Sequence, residues 1–98
     1  MDDIRFEWDL AKARENVRKH GVSFDEARTA FADEQAILLD DPDHSSDEDR
    51  FALLGLSAPL RMLVVAHCYR SDGGVVRVIS ARKATRSERA QYDAQGQP

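Results

Sequence analysis

The chain has 98 residues, of which 42% are hydrophobic and 33% charged, and it carries a net charge of −4. That length holds one domain able to bury roughly 60–70% of its unfolded surface, and the composition is that of a folded globule. One cysteine, Cys68, excludes an internal disulfide and any paired-cysteine metal motif. No apolar run is long enough to span a bilayer, and Met1-Asp2-Asp3-Ile4-Arg5 lacks a signal peptide's apolar core, so a soluble cytoplasmic protein is expected.

Ile4-Arg5-Phe6-Glu7-Trp8 alternates apolar and polar residues and predicts a short strand. Asp9 is a suitable N-cap for a helix whose apolar face is Leu10, Ala13 and Val17, running to Arg18 or Lys19 and stopped by Gly21 after His20. Ser23-Phe24-Asp25-Glu26 reads as a capping box, opening a second helix to about Phe31 with Phe24, Ala27, Ala30 and Phe31 as its stripe. So short a connection makes the pair an αα-hairpin.

Ala36–Leu39 and Phe51–Leu56 are strand candidates, separated by the polar, acid-rich loop Asp40–Asp49. Ser57-Ala58-Pro59 is a turn. Met62–Tyr69 is the most apolar stretch and predicts a central strand buried on both faces. Ser71-Asp72-Gly73-Gly74 is a hairpin turn, with Val75–Ile79 as the returning strand. Thr85-Arg86-Ser87-Glu88 is a second capping box, opening a helix through Tyr92 or Ala94. The order is β-α-α-β-β-β-β-α. It predicts an α+β domain over residues 1–94 and a disordered tail over 95–98. The sheet is expected to be antiparallel, with its helices on one face and the other face open to a partner.

The charge is unevenly distributed. Residues 1–49 hold 15 acids against 6 Lys/Arg, a balance of −9, and residues 50–98 hold 3 against 8, a balance of +5. Much of the positive half lies in Val78–Tyr92. Arg82 and Lys83 leave the last strand, and Arg86, Arg89 and Tyr92 follow at spacings of three. Guanidinium groups match phosphate oxygens in paired hydrogen bonds, a helix N-terminus adds free amides, and a tyrosine can stack on a base. The same pattern also fits a solvated helix face in which Glu88 compensates one charge.

Other chemistry-bearing residues have plain structural readings. Lys19-His20 ends a helix, where a cation stabilises the dipole. His67 reads as a hydrogen-bonded residue of the central strand, and Cys68 as a small buried hydrophobe. Asp40–Asp49, with His44, fits no specific metal-loop spacing. No metal site and no cofactor is expected.

Four segments resemble the BrnT family of bacterial toxins from type II BrnT/BrnA toxin–antitoxin systems. They are Phe6-Glu7-Trp8-Asp9 with Lys12 and Asn16; Lys19-His20-Gly21-Val22-Ser23-Phe24 with Glu26-Ala27; Asp41-Pro42-Asp43-His44-Ser45 with Glu48 and Arg50-Phe51; and Ile79–Thr85 with Arg86, Glu88 and Tyr92. The resemblance spans residues 6–92. It implies a RelE-like fold and a ribonuclease that arrests translation. It also implies neutralisation by a BrnA-type antitoxin carrying a ribbon-helix-helix domain, the complex repressing its own operon and touching operator DNA only through that antitoxin.

Metal-independent RNA cleavage needs a base, an acid and cations around a pentacoordinate phosphate. Arg82 is the first choice for the phosphate, aided by Lys83 and Arg86, with Arg89 in the same RNA-binding set. Tyr92 could position or stack a base; RelE-like enzymes resemble this in using a C-terminal tyrosine. Lys19 or His20 could be acid or base if the helix-pair turn reaches the sheet face. Arg70 and His67 are further candidates, and which group moves which proton stays open. The competing expectations are a non-catalytic nucleic-acid- or protein-binding module using the same basic corner, and a metal-dependent hydrolase using the acidic loop.

Overall fold

The computed structural model describes residues 4–40 and 50–95. The elements are β1 (Arg5–Glu7), α1 (Leu10–His20), α2 (Phe24–Thr29) with a 3-10 turn at Ala30–Ala32, β2 (Ile37–Asp40), β3 (Phe51–Leu56), β4 (Met62–Arg70), β5 (Val75–Lys83) and α3 (Arg86–Gln95). This is the α+β order that the sequence predicts. Among the described residues no helix is long and apolar enough to cross a membrane.

Local signals act as expected at most boundaries. The Asp9 carboxylate accepts from the Lys12 amide at 3.0 Å, and Gly21 closes α1 in the left-handed region at φ 67°. The Ser23 hydroxyl accepts from the Glu26 amide at 3.0 Å. The Glu26 side chain does not complete that box; it turns to Arg61 and Ser57 instead. Ser71 and Asp72, both at positive φ, make the β4–β5 turn, closed by the Gly73 amide on the Arg70 carbonyl at 3.1 Å.

The five strands form one sheet in the order β1-β5-β4-β3-β2. The fold departs from expectation in three ways. The sheet is not wholly antiparallel, because β1 runs parallel to β5 over Val75–Arg77; alternation within a strand says nothing about its partner's direction. Strand β5 continues to Lys83 rather than Ile79, since β4 offers it partners as far as Leu63. The helices are not confined to one face.

On one face, Val22, Phe24, Ala27 and Ala30 of the α1–α2 layer pack on Leu53, Leu63, Val65, Val78 and Ala81. On the other, Ala52, Leu54, Met62 and Val64 form a second cluster, against which Tyr92 of α3 packs. Successive residues of β3 and β4 therefore serve different clusters, and Met62–His67 is buried throughout. Gly55 is required where β3 passes the 3-10 turn: a Cβ there would stand 3.0 Å from the Ala30 carbonyl oxygen and 3.2 Å from the Ala36 Cβ.

The stripe assigned to α1 is also corrected. Leu10 and Val17 are exposed, and the buried residue of α1 is Asn16. Because β1 is short, it leaves the outer edge of β5 without a strand partner beyond Arg77. Asn16 takes that place. Its amide nitrogen donates to the carbonyls of Ala81 and Val22, both at 2.8 Å, and its oxygen accepts from the Ala81 amide at 3.1 Å. A buried amide so satisfied serves as a side-chain substitute for a sixth strand.

Candidate functional site

The corner between β5 and α3 is built around an ion pair. Arg82 projects from β5 beside Val64 on the face of the second cluster. Its two terminal nitrogens donate to the two Glu88 oxygens at 2.8 and 3.0 Å. Glu88 also accepts from the Thr85 amide at 2.8 Å, and its own amide donates to the Thr85 hydroxyl at 3.2 Å, completing the expected capping box. The Arg82 guanidinium, with help from the Thr85 amide, holds the Glu88 carboxyl down at about 2 against the pull of burial. Arg82 is therefore anchored in the corner, with its side chain 24% exposed.

Lys83, Arg86 and Arg89 are exposed. Lys83 and Arg89 line a cleft of about 310 Å³ together with Leu60, Arg61, Met62 and Ala84. Arg61 carries no sequence signal that marks it for the site. It reaches this cleft from the β3–β4 turn, held by Glu26 (Nε to Oε2 at 2.8 Å) and by the Gly21 carbonyl at 3.0 Å. Glu26 is in turn kept below the usual carboxylate range chiefly by the Arg61 hydrogen bonds.

Tyr92 does not share an outward face with Arg86 and Arg89. The inward positions of α3 are Glu88 and Tyr92, four residues apart, because that spacing stacks side chains on one side of a helix. The Tyr92 hydroxyl donates to the Asp33 carboxylate at 2.6 Å. That bond, with burial and the Asp33 charge behind it, pushes the phenol up to about 12. At neutral pH Tyr92 is a proton-bearing donor and not a base.

Lys19 and His20 end α1 and line a notch of about 170 Å³ with Asn16, Ile79 and Ser80 at the open edge of β5. The turn between the helices thus reaches β5, at its edge, two residues before the strand position that carries Arg82. Arg70 is not brought to this region. It stands six residues along β4 from Val64, the partner of Arg82, a separation of about 20 Å at a strand's rise. There it pairs with Glu7 at 3.4 Å, as Arg77 does at 2.8 Å. His67 is fully buried, its ring bonded to the Val65 carbonyl at 2.9 Å and the Tyr69 hydroxyl at 3.2 Å, as a core histidine should be. Of the acidic loop, residues 41–49 lie outside the described residues.

A short mixed sheet with a helical layer on one face and a single helix on the other is also the fold of a solved ribonuclease toxin. The 1.1 Å crystal structure of the Brucella abortus ribonuclease toxin BrnT matches with a TM-score of 0.66 at 22% identity, covering 86% of this chain and 100% of that one. No curated protein sequence matches the chain. The family described as the ribonuclease toxin, BrnT, of type II toxin–antitoxin systems matches residues 8–88. The chain belongs to that family: it is a ribonuclease toxin with RNA as its substrate and an antitoxin as its partner.

Proposed function

We propose that this toxin cleaves RNA, without a metal ion, at the corner where β5 meets α3, and that the cleavage arrests translation in the cytoplasm. The observation that carries the reading is the convergence of Lys83 and Arg89 on one cleft beside Arg61, next to an anchored Arg82, in a chain whose net charge is −4. Cations gathered against the bulk charge of a protein mark a polyanion site.

In this reading a base removes the ribose 2′-hydroxyl proton and the 2′-oxygen bonds to the adjacent phosphorus. The P–O5′ bond breaks, and an acid protonates the departing oxygen. Lys83 and Arg89 donate to the non-bridging oxygens as charge builds on them, with Arg86 on the neighbouring phosphate. Arg82 adds charge and fixes the corner. Lys19 and His20, beside Ser80, are the candidate proton carriers. Tyr92 acts as a donor or stacking surface, and Arg70 lies outside the cleavage site. A BrnA-type antitoxin with a ribbon-helix-helix domain neutralises the toxin by covering the basic corner with acidic or apolar side chains. The complex represses its own operon.

The test is cleavage of a labelled RNA with EDTA present. Cleavage should persist in EDTA and fall roughly 10²-fold in Arg82→Ala and in Lys83→Ala/Arg89→Ala, with melting curves showing that the variants fold. Loss of wild-type cleavage in EDTA would overturn the metal-independent reading. Full activity in the double variant would move the site away from this corner.

A further inference from the structure

Leu10, Ala13 and Val17 are spaced as a buried stripe, yet the fold leaves Leu10 67% and Val17 47% exposed. They line a groove on the outer side of the helical layer, together with Trp8 and Phe24, whose rings meet edge to face at 5.9 Å. The groove measures about 220 Å³. That is below the ~300–1,000 Å³ of small-molecule sites and suits one or two bulky side chains. An amphipathic helix presenting neighbouring apolar residues to solvent is the geometry by which proteins seat a partner segment.

Charge indicates which partner. Arg14 lines the groove and, among the described residues, has no ion-pair partner. Elsewhere on α1, Lys12 and Lys19 line the notch at the edge of β5 and Arg18 pairs with Glu15, so Arg14 is the charge α1 offers in the groove. The acidic group on the far rim, Asp25, is already paired with Arg28 at 3.5 Å. A second copy of the chain would present the same Arg14 and an Asp25 already engaged by Arg28, leaving Arg14 without a free carboxylate to pair with. A groove that seats only one or two side chains can also supply only part of the ~800 Å² per partner of a stable interface. Its occupant must hold the toxin elsewhere too, and an antitoxin that also covers the basic corner does so.

We infer that this groove is the antitoxin's anchor point. An antitoxin segment seats a large apolar side chain against Leu10 and Val17, and an adjacent carboxylate pairs with Arg14. The inference rests on the chain being a type II toxin. The groove lies on the helical layer, and α3 lies across the sheet from that layer. Leu10 and Arg14 also stay out of the notch lined by Lys19 and His20, so capture of the toxin is separable from its cleavage chemistry.

The probe is the purified protein encoded by the adjoining reading frame, titrated against the full-length toxin by calorimetry. Leu10→Glu should weaken binding roughly 30-fold or more, as expected for a central apolar anchor, and Arg14→Glu about tenfold. In both, the free toxin's rate of RNA cleavage and its melting temperature should stay at the wild-type values. Equal binding by wild type and both variants overturns the inference. So does light scattering that finds a wild-type dimer dissolved by Leu10→Glu, which would make the groove a contact between copies. Cleavage by the wild type, and its neutralisation by the same probe, test the toxin reading separately, so the two failures are distinguishable.

Discussion

Arg82 meets Glu88 in a bidentate pair whose side chains are 24% and 14% exposed. With Glu88 at about 2, against an ordinary value of 4.5, the pair contributes stability above pH ~4.5, and that contribution is lost as pH falls through 2. Glu88→Gln should therefore lower unfolding free energy by about 2 kcal/mol at pH 7. The deficit should shrink toward zero near pH 2, as denaturant titrations at both pH values would show. Tyr92 is a second latch. Tyr92→Phe removes its hydrogen bond to Asp33, which keeps its bonds from the Leu56 and Gln35 amides. The expected loss is about 1–2 kcal/mol in thermal or denaturant unfolding. The two interactions differ in how far sequence reveals them. Glu88 lies six residues from Arg82, inside a recognisable cap, so its role as counter-charge is legible. Asp33 lies 59 residues from Tyr92, and no local pattern joins them.

Among the elements, α1 is where periodicity and fold part company. Its apolar residues have the spacing of a core stripe, but the fold rotates α1 so that Asn16 faces β5. The cause is the three-residue β1, which leaves Ala81 with outward-pointing polar groups that some side chain must satisfy. Asn16→Ala would leave the Ala81 amide, the Ala81 carbonyl and the Val22 carbonyl without their partner. It should cost about 3 kcal/mol or more in urea unfolding. Because Asn16 also ties the end of α1 to β5, kcat for RNA cleavage should drop more than KM rises. Helix α3 shows the reverse case. It has no buried residue, so hydrophobic pattern could not place it. Its position on the second sheet face comes from Glu88, Tyr92 and a Gln95 bond to the Gln35 carbonyl at 2.7 Å.

The whole molecule carries an acidic balance with a localised cationic end, and on the proposed reading RNA binding there is salt-dependent. Binding of an uncleavable 2′-O-methyl RNA should weaken linearly in log Kd against log salt. Removing Lys83 or Arg89 should reduce that slope by roughly 0.7 for each phosphate no longer neutralised, read by fluorescence anisotropy across a salt series. An unchanged slope in both variants would place the phosphates elsewhere.

The residues by themselves determined the element order, both serine/threonine caps, the β4–β5 turn, the double burial of β4 and the basic character of the β5–α3 segment. Each depends on neighbours within about one helical turn or one strand pleat, where spacing alone dictates geometry. The tertiary structure alone decided that β1 runs parallel to β5 and that α3 takes the second sheet face. It also brought Arg61 to Lys83 and Arg89, separated Arg70 from Arg82, and left the stripe of α1 open while burying Asn16. These depend on which distant backbone edges and charges must be satisfied once the chain is packed, and that requirement has no local periodicity to announce it.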